Sequence, residues 1–283
     1  FLIPKMIPDI VAGQISIKYG FMGPNYATVS ACASSAHAMS NAFDMIRLNK
    51  ADIIVTGGSE AGVTIPSVGG FNSAQALSTN NDEYATASRP FDRTRDGFVI
   101  GEGCGILIFE EYNHAVARGA KIYAEVVGYG ATCDAYHITS PAEDGSGAVA
   151  AMEFAIKDSG ITPDKVDYIN AHGTSTHHND LFETRAIKKV FGEHAYDLLV
   201  NSTKSMIGHM LGAAGAVEEI VVAKSLQEGY VHQTVGLENP DDECDLNYVQ
   251  GHGVNRDIEY AISNSFGFGG HNACVVTKKW TEA

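Results

Sequence analysis

Apolar positions along this chain recur with two periods, and the places where the period changes mark its elements. Ala36, Met39, Phe43 and Ile46 recur at helical spacing, which predicts an amphipathic helix from Ser34 to about Leu48. Asp52-Ile53-Ile54-Val55-Thr56 predicts a short buried strand, halted by Gly57-Gly58. Gly105 to Glu110 predicts another strand, followed by a helix through Ala117. Tyr123 to Val127 reads as a strand. Ser146 to about Ser159 reads as a helix, with Gly160 at its stop and Pro163 just beyond. Val166 to Asn170 predicts a strand that delivers His172 at its end, and Asp180 to Phe191 a helix closed by Gly192. Leu198 to Asn201 is strand-like. A polar loop then leads to a helix from about Gly212 to Gln227.

The order of these elements repeats. Strand-like Ala27-Thr28-Val29, a small-residue loop and a long apolar helix come first. Leu198 to Gln227 follows the same plan. Ile262 to Ser265, a Gly-Phe-Gly-Gly turn and Ala273 to Thr277 echo the stretch from Phe98 to Phe109 as strand, turn and strand. Two related α/β halves are therefore expected, 1–125 and 126–283. Periodicity alone supports no more than the α/β class.

Composition narrows the partners. The chain is 45% hydrophobic, contains 30 glycines and has no apolar run long enough to span a bilayer. With 34 acidic and 19 basic residues its formal charge is −15, so non-specific attraction to nucleic acid or to an anionic membrane is disfavoured. Five cysteines, widely spaced and without a C-x-x-C pair, suit a reducing compartment such as the cytoplasm better than a disulfide framework.

One of those cysteines carries the chemistry. Cys32 stands in Val29-Ser30-Ala31-Cys32-Ala33-Ser34-Ser35-Ala36, where a strand is expected to turn into a helix. Unpaired N–H groups and the positive end of the helix dipole favour thiolate over thiol at such a place. Small neighbours leave room for a group to be loaded onto the sulfur. The competing reading is a buried structural cysteine.

Three further polar clusters follow. They are Asn170-Ala171-His172-Gly173-Thr174-Ser175-Thr176, then Asn201-Ser202-Thr203-Lys204-Ser205-Met206-Ile207-Gly208-His209, then Asn264-Ser265-Phe266-Gly267-Phe268-Gly269-Gly270. In this order with Cys32, they resemble the elongating β-ketoacyl-acyl-carrier-protein synthases of the Cys-His-His type, over essentially the whole chain. The resemblance implies a thiolase-like αβαβα fold of two related halves, the first incomplete because roughly the first third of the family's chain is missing. It also implies that Phe43, Ile53, Ile54 and Ile106 lie open and that the 283-residue chain folds poorly alone.

The implied activity is decarboxylative Claisen condensation of a malonyl thioester with an acyl-Cys32 enzyme in fatty-acid elongation, without redox cofactor or metal. The substrates would ride on the phosphopantetheine of acyl carrier protein, and the enzyme would be a homodimer. Two imidazoles could stabilise the enolate formed when carbon dioxide leaves, and His172 and His209 match the family's pair. Lys204, five residues before His209, and Glu183, eleven after His172, would support them. Thr174, Thr176, Thr139 and Ser140 would hold the pantetheine arm. The N–H groups of Cys32 and Phe268 would form an oxyanion hole, Phe268 would gate the acyl pocket, and Phe71 would line it.

Some features pull elsewhere. After Thr176 the family often has proline or another non-histidine residue, whereas His177-His178-Asn179 stands here. Together with His172 these invite a zinc reading, which the lack of an H-E-x-x-H pattern or matching cysteine pair disfavours. Carrier proteins are acidic and so is this chain, so docking requires a local basic patch, expected in the missing third. Thiolases need a second cysteine in the last glycine-rich turn, and Cys-His-Asn synthases lack His209. A catalytically silent partner subunit of a synthase dimer, or a polyketide-type ketosynthase, remain the alternatives.

Overall fold

The structure, a computed structural model, describes residues 2–282. In chain order, helices α1 (Leu2–Met6), α2 (Ile10–Tyr19) and α3 (Ser34–Arg47) precede strand β1 (Ile53–Glu60). Helix α4 (Ile65–Ser73), β2 (Gly103–Glu110), α5 (Tyr112–Ala117), β3 (Ala124–Cys133) and α6 (Ser146–Asp158) follow. Then come β4 (Val166–Asn170), α7 (His177–Phe191), β5 (Leu199–Asn201), α8 (Lys204–Ile207) and α9 (Ala214–Glu228). Short β6 (Tyr230–Val231) and β7 (Val254–Asn255) pair with each other before β8 (Tyr260–Gly267) and β9 (His271–Lys279).

The main sheet has the order β3-β9-β8-β4-β5. Strands β3, β9 and β8 run antiparallel in turn, and β4 lies parallel to both β8 and β5. The middles of β8 and β9 are continuously buried, so alternation is lost there and both faces must be covered. Helices α6 and α7 cover one face, burying Met152, Ile156 and Ile187 against Ile169, Ile262 and Val276. Helix α9 covers the other, with Val222 and Leu226 against Tyr168 and Leu199. Helices α3 and α9 also pack under the antiparallel β1–β2 pair. The layers thus run β1–β2, then α3 and α9, then the main sheet, then α6 and α7, which is thiolase-like layering.

Several local expectations are corrected. Gly57-Gly58 does not halt β1, which continues to Glu60. These glycines admit neighbours instead: a Cβ on Gly58 would lie 2.8 Å from both the Gly212 carbonyl oxygen and the Ser35 Cβ. Ala27-Thr28-Val29 pairs with no strand among the described residues, and only Ser30 and Cys32 form an isolated bridge. Phe98 to Ile100 likewise makes isolated bridges, to Leu77 and His209, rather than a strand. Ile53 and Ile106 are 43% and 41% exposed on the outer β1–β2 layer, whereas Phe43 and Ile54 are half-buried. No helix among the described residues is long and apolar enough to cross a membrane.

Candidate active site

The ends of four loops meet at one cavity of about 390 Å³. Cys32 enters it from the turn before α3, His172 from the end of β4, His209 from the loop after α8, and Phe268 from the β8–β9 turn. Thr139, Ser140, Thr174, Thr176, Phe71 and Glu183 also line it. Lys204 does not, but its charge is felt by three groups that do.

The turn that presents Cys32 is tight. Ala31 has φ of 50°, and the Ser34 hydroxyl caps it by donating to the Ala31 carbonyl oxygen and accepting from the Ser30 N–H. Gly267 must come close: a Cβ there would sit 2.8 Å from the Ser30 carbonyl oxygen and 3.1 Å from the Cys32 nitrogen. The backbone N–H groups of Phe268 and of Cys32 itself thereby face the sulfur. The thiolate expected from a helix start is not the resting state. Burial pushes the Cys32 thiol up to about 11, and the Lys204 charge is the largest of the opposing effects. Desolvation outweighs the Lys204 charge and the two backbone N–H groups.

Both histidines are buried, at 3% exposure for His172 and 2% for His209. Their rings meet edge to face with centroids 5.4 Å apart. Burial first, and the Lys204 charge second, hold both well below the ordinary histidine range, so both imidazoles are neutral at pH 7. The Leu211 N–H donates to His209 Nδ1 at 3.3 Å. That leaves the proton of neutral His209 on Nε2, as a donor. His172 Nδ1 has no partner among the described residues.

Glu183 is a buried strap, and a solvated helix position does not describe it. Its Oε1 accepts the His172 N–H at 2.8 Å and the Asn264 side-chain amide at 3.1 Å, and its Oε2 accepts the Gly173 N–H at 2.9 Å. Burial nevertheless raises its carboxyl to about 7. The loop it holds is cramped, since a Cβ on Gly173 would meet the Ser202 Cβ at 2.6 Å.

Two acids escaped the sequence reading. Lys204 is 1% exposed and pairs with Glu218 of α9, itself fully buried. An acid directly after the small and apolar run from Gly212 to Val217 was the available signal. Asp180 is also fully buried; it accepts the Phe91 N–H at 2.9 Å and lies 3.7 Å from the Arg95 guanidinium, tying α7 to the 89–95 loop.

An aromatic path continues from the histidines. The His209 ring lies 5.1 Å from Phe98, Phe98 lies 5.2 Å from Phe71, and Phe71 lies 6.4 Å from Phe268. Phe268 is 37% exposed, the outermost of these rings. Its turn needs glycine, with φ of 88° at Gly269 and 76° at Gly270. The turn is tied to the facing loop, where the Gly269 N–H donates to the Ile138 carbonyl oxygen and the Asp134 N–H to that of Gly270. In that loop the N–H groups of Thr139 and Ser140 both donate to His137 Nδ1 at 3.2 Å. The Thr174 and Thr176 hydroxyls are 2.9 Å apart. His172 faces His209, whereas His177 faces His178. Among the described residues no three His, Cys, Asp or Glu side chains gather as a metal ion would require.

A family profile for "Beta-ketoacyl synthase, N-terminal domain" matches residues 1–115, and one for "Beta-ketoacyl synthase, C-terminal domain" matches 123–238. The chain is 53% identical over 280 residues to the 3-oxoacyl-(acyl-carrier-protein) synthase 2 of Synechocystis sp., covering 99% of this chain and 67% of that protein. Identity to the protein of the same name from Staphylococcus aureus is 52%, with the same coverage. Among solved structures it resembles a type II PKS acyl-carrier protein complex with its ketosynthase bound to a hexaketide. The TM-score there is 0.95 at 40% identity, covering 96% of this chain and 67% of that one. A β-ketoacyl synthase from Burkholderia phymatum matches with a TM-score of 0.93 at 38% identity, covering 97% and 66%.

Proposed function

Because this chain belongs to the β-ketoacyl synthase family, we propose that it is an acyltransferase that extends an acyl chain held on Cys32 by a malonyl unit, with loss of carbon dioxide, in fatty-acid synthesis. The observation that carries this is the convergence of one thiol and two neutral imidazoles on a single cavity.

In the first half-reaction the Cys32 sulfur attacks the carbonyl carbon of an acyl thioester. The Cys32–acyl bond forms, the carbon–sulfur bond to pantetheine breaks, and the thiol proton ends on the departing pantetheine sulfur. The N–H groups of Cys32 and Phe268 face the sulfur, which suits them to the oxyanion of the tetrahedral intermediate. In the second, the malonyl carbon–carbon bond to the carboxylate breaks and carbon dioxide leaves. The electron pair moves into an enolate, whose oxygen would be met by His209 Nε2–H and by His172. The enolate carbon attacks the acyl-Cys32 carbonyl. The released thiolate takes one proton from solvent, so atoms and charge balance without redox cofactor or metal.

Neutral donors are the right kind here. An imidazolium would lie beside Lys204, whose charge opposes it. Lys204, paired with Glu218, favours the Cys32 thiolate that leaves when the acyl group passes to the enolate carbon in the condensation step. Glu183 is a positioning residue acting through the His172 loop. Thr139, Ser140, Thr174 and Thr176 would hold the pantetheine arm, with Phe268 as gate and Phe71 against the acyl chain.

Acyl carrier protein is the proposed partner, in line with the carrier seen with a related ketosynthase. A homodimer is proposed too. Ile3, Met6, Ile17 and Met22 of the α1–α2 region are each exposed, and such apolar side chains are the kind a second copy would cover. The cytoplasm is the proposed location. The fatty-acid reading is preferred to the polyketide one because identity is 53% to the former kind of relative and 40% to the latter. Incubating the protein with acyl-carrier and malonyl-carrier should yield β-ketoacyl-carrier and carbon dioxide. Ketoacyl product formed no faster than in a Cys32→Ala control would overturn the reading.

A further inference from the structure

His177 and His178 are left unexplained by the chemistry above. Both side chains are exposed, yet both line the same cavity whose floor holds Cys32, His172 and His209. They therefore stand at its mouth. The His178 ring stacks on Phe182 at 5.7 Å and 25°, and the His177 ring meets its edge at 5.5 Å, so the pair is held in place. None of their four ring nitrogens has a hydrogen-bond partner among the described residues, although the neighbouring polar side chains are engaged. No Lys or Arg side chain lines the cavity among the described residues.

The surroundings set the charge at this place. Asp96 on the cavity wall already accepts the Thr79 N–H at 2.9 Å and its hydroxyl at 3.3 Å. Arg95 donates to the His177 carbonyl oxygen at 2.9 Å and is itself paired with Asp180 and Asp241. The first N–H groups of α7 meet no side-chain cap. Among the described residues, His177 and His178 are thus the basic side chains that an anionic group at the cavity mouth meets.

We propose that His177 and His178 grip the phosphate end of the phosphopantetheine arm, which makes them specificity residues for carrier-borne over unphosphorylated thioesters. The proposal rests on the condensing-enzyme reading, because that reading supplies the arm. Imidazole N–H groups donating to a phosphate oxygen form charge-assisted hydrogen bonds, and each is lost when its histidine becomes alanine.

The test is direct binding by calorimetry of 4′-phosphopantetheine and of pantetheine to the protein and to its His177→Ala, His178→Ala and double variants. The protein should bind phosphopantetheine more tightly than pantetheine. Each single variant should weaken phosphopantetheine roughly three- to tenfold, and pantetheine less than twofold. Equal weakening of both ligands, or no preference for the phosphorylated one in the parent, would overturn the proposal. So would variants that lose affinity only for the whole carrier protein, which would assign the histidines to the carrier's surface. Acylation of Cys32 by acyl-pantetheine, which has no phosphate, should be unchanged in the variants. Failure of that arm in the parent would count against the proposed function, whereas the binding arm judges the histidines alone.

Discussion

Glu183→Gln should make stability less dependent on pH while impairing the active site. The carboxyl of Glu183 is raised to about 7 in the folded protein, from an ordinary value of 4.5, because burial outweighs three donors. A raised folded value means that the group's contribution is complete below pH 4.5 and is lost as pH climbs through 7. The loss amounts to about 3 kcal/mol, at about 1.4 kcal/mol per unit. Glutamine is neutral throughout, so it resembles the protonated acid at pH 5 and escapes this loss at pH 8. The melting temperature of the variant relative to the parent should therefore rise between pH 5 and pH 8, by roughly 5–10 °C for a chain of this size. The amide cannot replace both carboxylate oxygens, however. Either the His172 or the Gly173 N–H, which now donate at 2.8 and 2.9 Å, would face an NH₂ group. Malonyl decarboxylation should fall while acyl loading of Cys32 survives better. Calorimetric melts at several pH values, with both half-reactions assayed, make the test. Parallel melting curves for the two proteins would refute the burial argument, and unchanged decarboxylation would refute the strap.

Glu219 is buried, its Oε1 accepts the Thr277 hydroxyl at 2.5 Å, and burial lifts its carboxyl to about 8. Glu219→Gln should thus flatten stability across pH 4.5 to 8 in the same sense, with no change in condensation, as melts and turnover would report. Lys204→Met strands the Glu218 carboxyl without its cation and should cost about 3–5 kcal/mol. Adding Glu218→Gln should restore part of that, and a double variant as unstable as the sum of the two singles would contradict the pairing. His172→Ala and His209→Ala should each lower malonyl decarboxylation by roughly 10² or more, the scale of losing an oxyanion donor, while leaving acyl-Cys32 formation largely intact. Equal loss of both half-reactions in both variants would assign the imidazoles to the thiol instead.

Elements whose sequence carries its own period were legible. Helix α3 ends within a residue of its expected limit, and β4 delivers His172 as its apolar run foretold. What depends on neighbours distant in sequence was not. Gly57-Gly58 reads locally as a stop, but Gly58 serves close packing against α3 and the Gly212 loop, and Gly57 against the β2 backbone at Gly105. Val29 belongs to an extended segment that no local pattern could distinguish from a paired strand. The position of Cys32 was readable from its small neighbours. Its protonation was not, because the burial that raises the thiol comes from segments distant in sequence. Lys204 was visible as a lone cation in a polar loop. Its partner Glu218 lies on a different helix and becomes meaningful only when that helix is seen to be buried.

The central claim is that Cys32 carries the acyl group. Peptide-resolved mass spectrometry after brief incubation with an acyl-carrier substrate, without malonyl-carrier, tests it most directly. The account predicts one acyl mass per chain, on the peptide containing Cys32, which disappears when malonyl-carrier is added and is absent in Cys32→Ala. An acyl mass on Cys104, Cys133, Cys244 or Cys274, or none on any cysteine while condensation proceeds, would contradict it.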